Sequence, residues 1–473
     1  MKFNYIKSEC GSGKTYALVN TINNDSTNNY IIVQKKIDLL KQTFASLDNG
    51  HLITSAETSN VDSTVMTYLS SPTAQVVGIT AKTFFKIDPA LLKKYIVYLD
   101  DVVNFHAFKA INEVNRKVKG LLKDDIFSTL IPRDQTYAST GKQETQGDIL
   151  RMISNGFEMV DTFDHFVINQ KYFDQVQTTI DNVTVSTFND EVQQLTMLAW
   201  IDLVKYKDCN LTFMANKFDE SLLYKSNPDM FEESTFNGLR TRTVPTTQRL
   251  KVKYFSKSKV LSKSFRTSDR EQFDKVVAYI NNELEDSEYY YTRNNSETFT
   301  MDGKYVPVDT RGMNDLQDYS TCVWMASCRP SPVEAKMTEL FFGIDGTDLV
   351  RSREYESLEQ FVQRGCLRDF NSTEVMTVYV FDEQQAQSLG GELEYIDLGL
   401  DDIESGTAGR PASDIPLKIR KAFSMWLGRN SESTNLIYAY RKWKAKLQKD
   451  NPNIDFSTLD NKIWKKKNDC GKH

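Results

Sequence analysis

Eight residues near the start of the chain, Ser8-Glu-Cys-Gly-Ser-Gly-Lys-Thr15, combine the residue types that hold a chain of phosphates. Gly11 and Gly13 let the backbone turn so that its N–H groups face inward toward phosphate oxygens. Lys14 is placed to reach the β- and γ-phosphates, and Thr15 to offer its hydroxyl to Mg²⁺. Ser8 stands where such loops usually begin with glycine. A loop of this kind needs carboxylates on a neighbouring strand, and Asp100 and Asp101 supply them. Asp100 would contact the metal, and Asp101 would orient or deprotonate an attacking water. Together these residues point to a site for a nucleoside phosphate with Mg²⁺.

The elements needed to position them are present in the pattern. "FNYI" before the loop reads as a short strand, and "KTYALVNTIN" after it as a helix whose N-terminus favours anions. Ile96–Leu99 is a continuous apolar run, as expected of a parallel strand buried on both faces, and the two aspartates follow at its C-terminal end. "NYIIVQKKIDLLKQTF" and "VGITAKTFFKI" read as strand-to-helix turns, with Gln34 and Lys35 at one strand end and Thr80 and Lys82 exposed at the other. "CNLTFMANKFDESLL" is a strand that breaks at Met214-Ala215-Asn216. From about Thr241 the pattern restarts. "RLKVKYFS" alternates like a strand, and Phe273, Val276, Val277 and Ile280 form one helical face. Between these parts, "LIPRDQTYASTGKQETQGD" reads as a loop and "EVQQLTMLAWIDLVKY" as a helix; no role follows for residues 107–205.

The motif order resembles that of the superfamily 2 helicases of the DExD/H type. Gly11-Ser12-Gly13-Lys14-Thr15 is similar to their first motif, and "DDVV" to their second, with Asp101 where glutamate is usual. "MAN" at 214–216 is similar to the third motif, and "TRGMN" at 310–314 to the fifth, whose glycine, here Gly312, touches nucleotide and nucleic acid. "SLEQFVQRGCLRDF" resembles the sixth, which inserts arginines into the ATP site from the facing domain. Arg364 and Arg368 are four apart, so both would lie on one helix face; Arg368 is the first choice for the γ-phosphate and Arg364 the second. The resemblance spans roughly residues 5–385. It implies an α/β fold of two tandem RecA-like P-loop domains with parallel sheets, Ser12 among the nucleotide-binding residues, and stepping along a nucleic acid, DNA ahead of RNA. Its compact style would suit a phage or viral enzyme. The same residues also allow an ATPase stimulated by nucleic acid without unwinding, a P-loop phosphotransferase with a small substrate, or a nucleotide-gated binding module.

On this reading the domains run 1–235, 236–390, an acidic linker at 391–413, and a basic helical tail at 414–473. The tail from Pro411 to His473 carries 14 Lys and Arg against 6 Asp and Glu, +8 in a chain of net charge -6, which leaves the rest at -14. In the tail, Leu436, Tyr440, Trp443 and Leu447 fall on one helical stripe, suited either to stacking on bases or to packing on the second domain. "DFSTLDNKIWKKK" reads as a second basic helix. Six scattered cysteines and four isolated histidines give no zinc or disulfide pattern. No apolar run is long enough for a membrane helix, and the N-terminus has no signal-peptide core, so a cytoplasmic protein is expected, in the host cytoplasm if viral.

Overall fold

A computed structural model of the chain describes residues 2–112, 194–262 and 269–401 continuously. It also describes short pieces at 131–132, 136–139, 142–145, 163–168, 177–180, 183–186, 265–266, 423, 426–427 and 436–450.

Residues 3–233 build a seven-stranded sheet in which every pairing is parallel. Its strands include β1 (Phe3–Lys7), β2 (Tyr30–Gln34), β3 (Gly50–Leu52), β4 (Val76–Thr80) and β5 (Ile96–Asp100). The Asn210–Ala215 strand lies between β1 and β5, so the loop and the aspartates project from nearby strand ends. β2 is buried along its whole length, as a parallel strand covered on both faces must be. Two helices flank the site, α1 (Lys14–Asn23) and α2 (Ile37–Phe44).

A second sheet, six-stranded and also all parallel, is made from residues 250–395. One of its faces is covered by the Arg270–Glu283 helix, which buries Phe273, Val276, Val277 and Ile280 as its spacing predicts. The α/β class with two RecA-like lobes is therefore the fold observed. Glu392–Tyr395 is the edge strand of this second sheet, paired with Leu250–Ser256. The linker expected from 391 thus begins as sheet: its acidic composition hid a strand whose buried partner supplies the pairing.

Between β5 and the Asn210–Ala215 strand the chain leaves the first lobe to make an antiparallel sheet. His106–Asn112 pairs along its full length with Gln194–Trp200, followed outward by His165–Ile168 and Ile131–Pro132. Two of the expectations for this region are corrected. Gln194–Trp200 is a strand, not a helix. Leu195, Leu198 and Ala199 satisfy a helical i, i+3, i+4 spacing, but seven residues of strand pairing decide the outcome. The segment read as a loop contains a hairpin, Thr136–Ser139 with Lys142–Thr145.

By its contacts the chain divides into Met1–Leu400 and Asp401–His473. In the second unit, the Leu436–Asp450 helix places Tyr440 and Trp443 against Phe423 and Trp426, with ring centroids 5.6–5.9 Å apart. The aromatic stripe thus packs against rings of its own unit. The second basic helix expected at 455–467 lies outside the described residues. Among the described residues, no helix is long and apolar enough to cross a membrane.

Candidate active site

The loop after β1 turns through Gly11 (φ +87°) and Gly13 (φ +90°), both in the left-handed region that favours glycine. Gly13 caps α1 without any side-chain bond, and the first turn of α1 holds no acidic residue. The positive end of the helix is therefore open to an anion. Lys14 folds back over the loop, its Nζ donating to the carbonyls of Ser8 (2.6 Å) and Glu9 (3.2 Å). Ser12 is buried, and its hydroxyl lies 2.8 Å from that of Ser8. This pair braces the loop and gives Ser8 a structural role in place of the usual glycine.

The carboxylates stand where the pattern predicts. Asp100 ends β5 and is buried. It accepts from Thr15 Oγ1 at 3.1 Å and from Gln34 Nε2 at 2.7 Å, both on Oδ2, so Oδ1 is the oxygen they leave for a metal. Burial, and then the neighbouring charge of Asp101, push its carboxyl up to about 6. Gln34 ends β2, as expected, and is fully buried there, with Thr43 Oγ1 donating to its Oε1. Its amide serves Asp100 because β2 is covered on both faces. Lys35 does reach the surface, where it pairs across the cleft with Asp309 at 3.4 Å. Thr80 caps the short Ala81–Phe84 helix and is half-buried, while Lys82 is exposed. Asp101 adopts φ +55° and donates its backbone N–H to Met214.

The second lobe faces these groups. The Glu356–Val362 helix carries Gln360 and stops before Gln363, so Arg364 lies beyond the helix and Arg368 in a separate 3₁₀ turn, Cys366–Arg368. The two arginines do not share a helix face as expected. The turn that follows passes close to its neighbour: a Cβ on Gly365 would stand 2.7 Å from the carbonyl oxygen of Tyr319. Both side chains still reach the cleft. Arg364 donates to the Met313 carbonyl (3.3 Å) and to Gln360 Oε1 (3.2 Å). Arg368 donates to Asn314 Oδ1 at 3.4 Å. Burial first, then crowding by Arg364, with Arg240 and Arg242 adding to it, lowers the pKa of Arg368 below the usual arginine value.

These parts enclose a cleft of about 530 Å³. Its wall brings together Gly11, Gly13, Lys14, Thr15, Asp100 and Asp101 from the first lobe with Gly312, Arg364 and Arg368 from the second. Ser12 stays behind the wall as a brace. The lobes approach closely: a Cβ on Gly11 would lie 3.0 Å from the Phe370 ring and 3.2 Å from the Arg368 side chain.

Sequence reasoning missed Arg240, Arg242 and Arg249 here, and it named Arg311 only as part of the fifth-motif match. Arg240, in the chain joining the lobes, stands over the loop with its Nε 3.6 Å from a Cβ position on Gly13. Arg242 ties Glu9 to the Leu367 carbonyl and lies 3.9 Å over the Phe370 ring. Arg249 is fully buried and donates to the carbonyls of Cys366, Asp369 and Glu374, which pins the turn carrying Arg368. Arg311 donates to Glu356 (2.8 Å) and lies 3.9 Å from Asp101. The spacing Arg240-x-Arg242 between two α/β patterns was the one available signal; a buried Arg249 in a strand-like run gives none.

No family model matches the chain, and no curated protein matches it. Among solved structures, it is similar to XPD in an apo form, at 10% identity and a TM-score of 0.48, over 84% of this chain and 97% of that one. It is similar to Xpd4 of S. tokodaii at 11% identity and a TM-score of 0.45, over 84% and 96%. It is also similar to Dbp5 of S. cerevisiae bound to RNA and ADP-BeF3, at 14% identity and a TM-score of 0.36, over 84% and 85%.

Proposed function

We propose that the chain hydrolyses ATP in this cleft and uses the opening and closing of the two lobes to move along, or unwind, a nucleic acid, with DNA the favoured track. The observation that carries the reading is the meeting of Arg364 and Arg368 with the glycine loop, Thr15, Asp100 and Asp101 in one cleft. A small-molecule phosphotransferase has no use for a second α/β lobe that delivers arginines to the phosphates.

Each residue then has a task. The N–H groups at the start of α1 and Lys14 bind the β- and γ-phosphates. Thr15 and Asp100 would hold Mg²⁺, which supplies neutralisation of charge on those phosphates when bound. Asp101 orients the attacking water and accepts its proton. Arg368, with Arg364 beside it, offsets the negative charge that builds on the transferred group. Lys82 beside the end of β4 and the basic tail are the candidates for contact with the strand's phosphates.

Steady-state ATP hydrolysis with Mg²⁺, with and without single-stranded DNA or RNA, tests the coupling. Stimulation of about tenfold by one polymer, about 1.4 kcal/mol in barrier, is expected and should vanish in Lys14→Ala. Hydrolysis indifferent to both polymers contradicts the coupling. Strand displacement from a partial duplex separates unwinding from translocation alone.

A further inference from the structure

Tyr16 is the second residue after the loop lysine, in the first turn of α1, and it lies on the wall of the ATP cleft. Its ring is 69% exposed, the most open of the large apolar side chains among the described residues. The residues that follow it, Ala17, Leu18 and Val19, are buried, while Tyr16 stays exposed on the cleft wall. An aromatic ring left in water on the wall of a binding cleft is an unfilled stacking surface.

Its position relative to the phosphates decides what could fill it. The open N-terminus of α1 and Lys14 take the phosphate chain. Arg240 stands over Gly13 on the same cleft. Tyr16, Asn20 and Gln42 line the same cleft, where the sugar and base of a nucleotide anchored by its phosphates would come. Asn20 and Gln42 are exposed amides. An amide both donates and accepts and can turn over, so it answers the edge of any base.

We propose that Tyr16 is the nucleobase platform of this site and that it accepts the base by its face, so that purine and pyrimidine nucleoside triphosphates are all substrates. The inference rests on the nucleotide-hydrolase reading above and adds the residue and the substrate range. Stacking is tolerant of sequence because every base has a π-face, and its loss on alanine substitution is large enough to measure.

The test compares KM for ATP, GTP, CTP and UTP with the inhibition constant of inorganic tripolyphosphate, which carries the phosphates and no base, against ATP. For the unmodified chain, the four values of kcat/KM should agree within about fivefold, since stacking discriminates weakly among bases. Tyr16→Ala should raise all four KM values by about tenfold and leave tripolyphosphate inhibition unchanged; Tyr16→Phe should restore the KM values. An equal loss for tripolyphosphate, unchanged KM values in Tyr16→Ala, or strong preference for one base overturns the inference while leaving the hydrolase intact. Failure of the unmodified chain to hydrolyse any triphosphate overturns the hydrolase reading itself. Because the ring is exposed, its removal does not threaten folding.

Discussion

Gln34 and Asp101 show how single side chains set the chemistry. Gln34 donates to Asp100 from inside the sheet, at 2.7 Å, and its carbonyl oxygen is in turn held by Thr43. Such a bond orients a metal-binding carboxylate and favours its charged form against burial. Gln34→Leu should therefore raise the Mg²⁺ concentration needed for half-maximal hydrolysis by about 10–100-fold, read from a Mg²⁺ titration. An unchanged requirement would mean that Thr15 alone suffices. Asp101 stands where the resemblance read from the sequence would put a glutamate, one methylene longer, and its backbone sits at φ +55°. That turn, with the N–H bound to Met214, offers one way for a shorter side chain to be aimed. Asp101→Asn should lower kcat by about 10²–10⁴-fold, the usual worth of a general base, while nucleotide affinity changes little. At this scale the loop and both aspartates were legible, because their chemistry demands particular residue types at particular spacings. Gln34 was not: a glutamine at a strand end reads as a surface residue until the covering layer is known.

At the scale of elements, the turn that carries Arg368 is held by a side chain from elsewhere. Arg249 gives its guanidinium to three carbonyls of the 366–374 segment. Arg249→Met keeps some of the packing and strands those carbonyls, so unfolding free energy should fall by about 3 kcal/mol, measured by urea denaturation. kcat should fall with it, because Arg368 loses its support. A variant with normal stability and rate would show the turn to be held by its own backbone. Strands such as Ile96–Asp100 and Leu250–Ser256 and the Arg270–Glu283 helix were readable from their apolar pattern, while the Pro332–Phe342 and Glu383–Leu389 helices went unread. The end of the Glu356–Val362 helix was not readable either, since the turn after it lies against Tyr319, which is 46 positions away in sequence from Gly365. The inserted sheet failed for a related reason: the apolar spacing of Gln194–Trp200 suits either structure, and pairing with His106–Asn112 chose the strand.

Across the whole molecule, the lobes meet at the cleft and also at a seam where Trp200 and His106 of the inserted sheet pack on Phe342 of the second lobe, at 5.1 and 4.9 Å between centroids, beside the Lys225–Asp348 ion pair. Burial holds the His106 imidazole down at about 4, against an ordinary value of 6.5. The unfolded chain takes up this proton below 6.5, and the folded chain refuses it until about 4. Stability contributed by a neutral His106 is thus complete above 6.5 and is lost as the pH falls from there to 4. His106→Gln should flatten the fall in melting temperature over that window; an identical fall in both proteins would place the acid sensitivity elsewhere. The central claim is that the two lobes make one hydrolytic site, and single-turnover hydrolysis of ATP-Mg²⁺ by Arg368→Ala tests it most directly. The account predicts a rate lower by about 10³-fold or more, with ATP still bound. Hydrolysis at the original rate in Arg368→Ala, and again in Arg364→Ala, would show that the first lobe works alone and would contradict it.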